Sequence, residues 1–270
     1  MLPPDSTVER WAWDYVHAAT LAEKLAPKAP PGEWERDAPS RRLAKPARPP
    51  ELRVVARAEK TRGLGAAPGR ARALHTFMHH ELQAAELMAW AILAFPTAPL
   101  AFREGLLRIA TDEIRHMNLY GAELAARGVR YGEHPVRDWF WERVPSAETP
   151  LAFVSIMGLG VESANLEHTA SYAARFREAG DEAGAALQER VGREEIAHVR
   201  FGAQWFEHFA GRFTFDAWQA ALPPPLTPLL MRGAPMQRDA RLAAGQPKEF
   251  LDQLESWQPE TTTIDRPRGS

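Results

Sequence analysis

One five-residue pattern occurs twice in the chain, once as residues 112–116 and once as residues 194–198. Both copies read acid-Glu-Ile-x-His, and both lie in long stretches with the apolar periodicity of an α-helix. A glutamate and a histidine three residues apart lie on the same side of a helix, one turn from each other. Two such helices that face each other would direct two carboxylates and two imidazoles into one space. The pattern therefore predicts half of a two-metal carboxylate site, and with it a fold of packed helices.

Four long helices are predicted around these motifs, each bounded by proline or glycine. They cover about residues 68–95, 99–127, 150–179 and 182–210. The turns within each pair are short, at 96–99 and at 180–181, whereas the connection 129–150 between the pairs is long and aromatic. Strand-like alternation is not convincing anywhere in the sequence. These features predict an all-α chain with a ferritin-like four-helix bundle, in which two antiparallel helical hairpins are joined by a long crossover.

Segments on either side of the bundle complete the predicted organisation. Residues 1–67 are interpreted as a helix at about 5–26 and a Pro-rich arm packed on the bundle, because proline at this density forbids a long helix or a central strand. Disorder is the alternative for the arm. The other predicted units are the bundle at 68–212 and a tail at 213–270, with short helices near 236–243 and 248–257.

The composition limits the ligands and partners that the chain can use. It has no cysteine, so a disulfide or an iron–sulfur cluster is excluded and any metal must take nitrogen and oxygen ligands. The formal charge of −2 gives no reason to expect nucleic acid or an anionic membrane as a partner. The sequence has neither an 18-residue apolar run nor the pattern of a signal peptide. We therefore expect a soluble, cytoplasmic monomer or homodimer.

The first and third predicted helices offer the other half of the metal site. Each carries two glutamates five residues apart, Glu81 and Glu86 in the first and Glu162 and Glu167 in the third. Five residues correspond to about 140° of rotation, so only one glutamate of each pair can face the core well. Glu81 is favoured because it lies in a run of apolar residues, whereas Glu86 shares its side with polar ones.

The spacing of the glutamates indicates a degenerate internal repeat. Glu113 follows Glu81 by 32 residues, and Glu195 follows Glu162 by 33. This repeat is the main argument for Glu162. Glu167 would pair about as well with Glu195 across the 180–181 turn, so it stays an alternative.

The predicted ligand set consists of four carboxylates and two imidazoles. Its members are Glu81, Glu113, His116, Glu162, Glu195 and His198. A carboxylate in an apolar helix stripe is costly unless it is paired or binds a metal. Four carboxylates neutralise two divalent ions, and this donor set favours two iron ions, with manganese or a mixed manganese–iron pair as alternatives. The competing interpretation is a set of solvated, glutamate-rich helix faces.

Residues next to the ligands have predicted supporting roles. Asp112 and Glu194 each precede a ligand glutamate, and each is predicted to hold the histidine of the opposite helix by its free N–H. A plain surface charge is the alternative for Glu194. The other histidines considered are expected to be structural or to form hydrogen bonds, with proton delivery as a second role for the last two. They are His75, His79, His80 and His168.

The pattern at residues 112–116 resembles the Asp-Glu-x-Arg-His motif of bacterial di-iron monooxygenases, and the doubled Glu-x-x-His plan resembles the ferritin-like superfamily. Over about residues 45–255 the chain resembles, more specifically, the ferritin-like domain-of-unknown-function family 455. The stretches that carry this resemblance are Arg48-Pro49-Pro50-Glu51-Leu52, Gly69-Arg70-Ala71 with Leu74-His75, residues 79–86, Tyr131-Gly132, Gly180-Asp181-Glu182, and residues 194–199 with Gly202 and Trp205-Phe206.

The resemblance implies the fold and the metals and favours Glu162 over Glu167, but it assigns no reaction. Two departures from the family pattern stand out. The fourth helix has Glu194-Glu195 where the family usually has Asp-Glu. The third helix reads Val-Glu-Ser-Ala-Asn at 161–165 where the family usually has Leu-Glu-Ala-Arg-Gly, and the missing arginine implies a different pocket.

Three functions compete at this point. The first is an O2-activating di-iron oxidase or hydroxylase that acts on a small organic substrate, with the aromatic connection 129–150 as its lid. The second is a ferroxidase, an iron-handling protein or a peroxide scavenger, although storage cages are built from shorter chains. The third is a non-catalytic helical scaffold. The doubled His-bearing motif favours the first function.

Overall fold

A computed structural model describes residues 1–57 and 63–259. Every regular element in these residues is helical, which confirms the predicted all-α class. The α-helices are α1 (Val8–His17), α2 (Leu21–Leu25), α3 (Ala67–Ala94), α4 (Leu100–Ala126), α5 (Pro150–Ile156), α6 (Ser163–Glu178), α7 (Glu182–Ala210), α8 (Phe215–Ala221), α9 (Arg238–Ala243) and α10 (Lys248–Ser256). Between α5 and α6 lies a π-helical segment, Met157–Glu162, and short 3₁₀ turns cover Val144–Ser146 and Pro228–Met231.

The long helices lie within one residue of their predicted bounds at both ends, but the N-terminal helix does not. The predicted single helix at 5–26 is wrong, because α1 ends at His17 and α2 begins at Leu21. The side chain of Thr20 accepts from the backbone N–H of Glu23, and the Glu23 carboxylate accepts from the backbone N–H of Thr20. This capping box starts a new helix. The tail helices α9 and α10 match their predictions, whereas α8 was not predicted.

Helices α3 and α4 pack against each other, and so do α7 and the helical stretch from α5 to α6. Contacts between α4 and α7 join the two pairs, and α1 covers α3 from the other side. Almost the whole length of α3 is buried, as expected for a helix enclosed on several sides. Within the described residues, no helix has the length and apolar character needed to cross a membrane.

In its described part, the Pro-rich arm contains no helix and runs along α3. The backbone N–H of Arg41 donates to the carbonyl oxygen of Leu93 at 2.8 Å. The indole N–H of Trp90 donates to the carbonyl oxygen of Leu43 at 3.0 Å. These contacts with α3 satisfy part of the arm's polar groups. Residues 58–62 of the predicted arm and 260–270 of the predicted tail lie outside the described residues.

Glu86 anchors the N-terminal segment to α3. Its buried carboxylate lies 2.8 Å from the ammonium of Lys24 and 2.5 Å from the guanidinium of Arg48. It also accepts a 2.8 Å hydrogen bond from the indole N–H of Trp141. A buried carboxylate with two cations and a donor is satisfied where it stands. Glu86 therefore binds cations of the N-terminal segment. Glu81 is the glutamate of α3 that faces the other long helices.

The π-helical segment brings its backbone into direct contact with α7. A Cβ atom added to Gly202 would lie 2.6 Å from the Cα atom of Gly158. The two glycines therefore let the segment and α7 approach more closely than any side chain would permit. This contact positions the turn that ends in Glu162. π-helical turns of this kind often occur at functional sites.

Gly202→Ala is expected to lower the free energy of unfolding by about 1–3 kcal/mol, because the new methyl group meets backbone that cannot move aside. Urea denaturation of the metal-free protein measures this difference. Gly65→Ala is the matched control, since nothing lies within 4 Å of a Cβ added there. Equal stability of the Gly202 variant and the parent chain would contradict the close contact.

Candidate metal centre

Six buried side chains from four helical segments converge at the centre of the long helices. Each of them is at most 3% exposed. Glu81 comes from α3, Glu113 and His116 from α4, Glu162 from the end of the π-helical segment, and Glu195 and His198 from α7. These are the six residues predicted as ligands. The structure brings all of them together.

The six residues form two overlapping groups that can each hold a metal ion. Within each group the ligand atoms lie within 4.8 Å of one another. The first group is Glu81, Glu113, His116 and Glu195, and the second is Glu113, Glu162, Glu195 and His198. Each group thus has one histidine and one glutamate of its own, and the groups share Glu113 and Glu195.

The two shared carboxylates each direct one oxygen towards each histidine. In Glu113, Oε2 lies 3.5 Å from His116 Nδ1 and Oε1 lies 2.9 Å from His198 Nδ1. In Glu195, Oε1 lies 3.4 Å from His116 Nδ1 and Oε2 lies 2.9 Å from His198 Nδ1. The glutamate specific to the first group, Glu81, has its Oε2 atom 3.7 Å from His116 Nδ1. Each shared carboxylate therefore presents one oxygen to the first ligand group and the other oxygen to the second.

The polar atoms of this cluster are poorly satisfied by the protein itself. Among the described residues, ten buried side-chain nitrogen and oxygen atoms have no hydrogen-bond partner, and six of the ten belong to the cluster. They include both oxygens of Glu113 and the Nδ1 atom of His116. Buried carboxylates without partners are costly, so protons or bound cations must balance the cluster. Nitrogen and carboxylate donors in this ratio suit iron or manganese.

The pKa shifts within the cluster also show that its carboxylates need nearby positive charge. Burial raises the pKa of Glu81 and of Glu162 well above the usual range, and the nearby carboxylate of Glu113 raises both further. Although burial opposes it, contacts with Glu113 and Glu195 raise the pKa of His116. Glu81 and Glu162 therefore bind protons readily unless another positive charge lies within reach. Metal ions would supply that charge without protonating the ligands.

The outer nitrogens of both histidines face carboxylates from the opposite helix. His116 Nε2 lies 2.8 Å from an oxygen of Glu194, and His198 Nε2 lies 3.6 Å from an oxygen of Asp112. Arg115 contacts both acids, at 2.6 Å and 3.0 Å respectively. Burial opposes the shift, but hydrogen bonds from Arg115 and His116 lower the pKa of Glu194 to about 2. Both acids thus stand where they can fix the histidine rings with Nδ1 turned to the cluster.

Glu194→Ala is expected to weaken metal binding by about 10–100-fold, because His116 loses the carboxylate that orients its ring. Competition with a chelator of known affinity measures this change. Glu207→Ala, an exposed glutamate on the same helix, is the control and should bind as the parent does. An unchanged affinity in the Glu194 variant would mean that it is only a surface charge.

The alternative ligand Glu167 is turned away from the cluster. Both of its oxygens are bound by the guanidinium of Arg241, at 2.8 Å and 2.6 Å. The backbone N–H groups of Gly233 and Gln237 donate to it as well, at 3.2 Å and 2.9 Å. Arg241 is fully buried. Sequence reasoning missed this arginine, since nothing in its local pattern marks it as a core residue.

The four other histidines with predicted supporting roles lie in two places, two beside the connection between α4 and α5 and two beside a cavity. His75 accepts a 2.8 Å hydrogen bond from the backbone N–H of Gly132. His79 lies 2.8 Å from the hydroxyl of Tyr131 and 3.0 Å from Asp138. Both bind the first half of the aromatic connection, which spans residues 127–149 between α4 and α5 in the structure, and both lie outside the cluster. His80 and His168 line a cavity beside it.

This cavity has a volume of about 210 Å³ and reaches Glu81 and Glu162. These are the glutamates that belong to one metal group each. The cavity therefore borders both groups. Trp139 and Phe140 of the aromatic connection close one side of it.

Comparisons with known proteins assign the chain to a family, but they assign it no function. A family model described as "Protein of unknown function (DUF455)" matches residues 7–252. An uncharacterized protein of Haemophilus influenzae is 25% identical over 194 residues, which cover 68% of this chain and 67% of that protein. No solved structure matches the chain significantly.

Proposed function

We propose that this chain, which belongs to the DUF455 family, is a ferritin-like protein that holds two metal ions and activates O2 to oxidise a small organic substrate. Iron is the proposed metal, with manganese or a mixed pair as the alternative. The family assignment confirms the resemblance to domain-of-unknown-function family 455, and the ferritin-like part of that resemblance belongs to the proposal. The family assignment carries no reaction with it, so the proposal rests on the geometry of the metal centre.

The single observation that carries the proposal is the sharing of Glu113 and Glu195 between two ligand groups. A site for one ion needs no such pair. Two carboxylates that each present one oxygen to either histidine suit two neighbouring ions, with Glu81 and Glu162 as the terminal ligands. With four carboxylates and two divalent ions the charges balance.

The arrangement of the helices supports the ferritin-like part of the proposal. Bundles of this type take one glutamate from each of two helices and a Glu-x-x-His pair from each of the other two. Here α3 and the π-helical segment each contribute one glutamate, and α4 and α7 each contribute a pair. The antiparallel pairs α3–α4 and α5/α6–α7 are joined by the 127–149 connection.

Iron in this centre would supply electrons for the activation of O2. The chain's own residues perform the remaining tasks. Asp112 and Glu194 hold the histidine rings in position. Burial of all six ligands keeps bulk water away from the ions. The cavity beside Glu81 and Glu162 offers room for a substrate, which an iron-storage protein would not need.

The proposed function predicts that the ferrous protein consumes O2 and that Glu195→Ala does not, since that variant loses a ligand common to both groups. An oxygen electrode measures uptake after anaerobic loading with ferrous iron. Glu207→Ala, exposed on the same helix, is the control and should consume O2 as the parent does. No O2 uptake by the iron-loaded parent would contradict the proposal.

The same preparation separates an oxidase from an iron-storage protein. With excess ferrous iron, the proposal predicts that the chain keeps its two bound ions and accumulates no further iron. Retention of many irons per chain after gel filtration would instead favour iron handling. In that case, the O2 that is consumed without an organic substrate would be assigned to ferroxidase activity.

A further inference from the structure

We propose that the cavity beside Glu81 and Glu162 binds an uncharged, single-ring aromatic compound that carries a hydrogen-bonding group. This inference rests on the proposed function, because it names the substrate class of that same centre. The cavity is walled by α3, the π-helical segment, α6 and the aromatic connection.

The size of the cavity selects a small molecule. A buried cavity of about 150 Å³ lined by apolar side chains accommodates benzene. At about 210 Å³, this one has space for one aromatic ring with one or two small substituents. Two alanines, Ala84 and Ala164, create the space where larger side chains would fill it. Both are buried, Ala84 on α3 and Ala164 on α6.

The walls of the cavity favour an aromatic ring. Trp139 and Phe140 form one side, with their ring centroids 5.7 Å apart at a near-perpendicular angle. His80 lies against Phe140, with centroids 5.1 Å apart. Val161 completes the apolar surface next to Glu162. Aromatic rings pack on such surfaces through offset or edge-to-face contacts, which add to the burial of apolar area.

Three polar side chains in the lining are free to bind a ligand. Within the described residues, the side chains of His80, Asn165 and His168 form no hydrogen bond with the protein. His168 is exposed and marks the solvent-facing side of the cavity, whereas His80 and Asn165 are partly buried. A ligand with a hydroxyl group or a ring nitrogen would satisfy these groups as it enters.

The charges around the cavity exclude an anion. No lysine or arginine is among its lining residues in the described part of the chain. The two charged groups that do line it are the carboxylates of Glu81 and Glu162. An anionic ring compound would lose its hydration without gaining a cationic partner from the cavity wall, because the four ligand carboxylates balance the charge of two divalent ions. An uncharged ring loses much less water on entry.

The test compares three probes in the 270-residue chain loaded with zinc, which does no redox chemistry. Phenol is an uncharged aromatic ring with a hydroxyl group, benzoate is an anionic ring, and cyclohexanol is a non-aromatic ring with a hydroxyl group. Calorimetric titration is expected to show phenol binding at least about tenfold more tightly than either of the others. Benzoate or cyclohexanol binding as tightly as phenol would overturn the inference.

Two variants tie the binding to the cavity. Val161→Phe fills it and is expected to weaken phenol binding at least about tenfold, whereas Val54→Phe, at an exposed site outside the lining, should leave it unchanged. Asn165→Leu removes a polar group from a partly exposed position, so the fold should persist. Phenol should bind the parent more tightly than toluene, which has no hydroxyl group, and this difference in affinity should disappear in the variant. If neither variant changes phenol binding, the inference is wrong.

This experiment distinguishes the inference from the proposed function. Phenol binding is measured without iron and without O2. Selective phenol binding by a protein that consumes no O2 would leave the inference standing and remove the proposed function. O2 uptake together with unselective probe binding would do the reverse.

Discussion

Glu113→Gln is expected to remove both metal ions from the centre, whereas Glu81→Gln is expected to remove only one. Glu113 belongs to both ligand groups, but Glu81 belongs to one. The loss of affinity in Glu113→Gln should exceed the 10–100-fold that is typical of losing a residue that only orients a ligand, because a carboxylate common to both ligand groups is itself lost. Elemental analysis after anaerobic iron loading and gel filtration measures both results.

The two substitutions also control for folding. Glutamine matches glutamate in shape, so neither variant creates a cavity. The thermal midpoint of each metal-free variant measures the cost to folding separately, since Glu113 Oε1 lies 2.9 Å from His198 Nδ1 and glutamine removes that ion pair. Equal metal loss in both variants would contradict the shared role of Glu113. A large drop in the stability of metal-free Glu113→Gln would show instead that this carboxylate supports the fold.

Arg241→Met is expected to lower the free energy of unfolding by about 3–5 kcal/mol, because it leaves the carboxylate of Glu167 buried without its cation. The pair attaches the C-terminal tail to α6, five residues after Glu162. The same tail places the Met231 side chain against Gly160 of the π-helical segment. Denaturant unfolding of the metal-free protein measures the loss.

A double variant separates charge from packing at this pair. In Arg241→Met with Glu167→Gln, the glutamine is uncharged and still accepts hydrogen bonds from the tail backbone, so the double variant should be more stable than Arg241→Met alone. Arg212→Met, an exposed arginine, should change stability by no more than about 0.5 kcal/mol. A double variant less stable than the single one would contradict the buried-charge explanation.

The cluster of four glutamates and two histidines could be predicted from the sequence because its residues follow helix geometry. Glu113 and His116 lie one turn apart, and the same holds for Glu195 and His198. Glu81 followed from its place among apolar residues on α3. Helices of this length keep their phase, so side chains that share a stripe in the sequence also share a face in the structure.

The choice between Glu162 and Glu167 was harder for a physical reason. A π-helical turn inserts an extra residue and shifts the phase of everything after it. The segment Met157–Glu162 lies in the middle of the third long helix, so a 3.6-residue pattern could not decide which glutamate faces the core. The partner of Glu167 is Arg241, which comes 74 residues later in the chain. No local pattern connects the two.

Other features depended on contacts between distant segments. Proline content predicted that the arm is extended, but not that Glu86 would bind Lys24 and Arg48 of the N-terminal segment. The break between α1 and α2 is different, because the sequence did contain its signal. Thr20 and Glu23 have the spacing of a capping box, which starts a new helix.

The metal content of the protein tests the central claim most directly. The chain should be purified from iron-supplemented cells, or loaded anaerobically with ferrous or manganous ions, and analysed for metal per polypeptide. We predict two ions per chain in the parent, and a loss of bound metal when Glu195 is replaced by alanine. A parent protein that binds no metal under these conditions, or a Glu195→Ala variant that binds as much as the parent, would contradict the account.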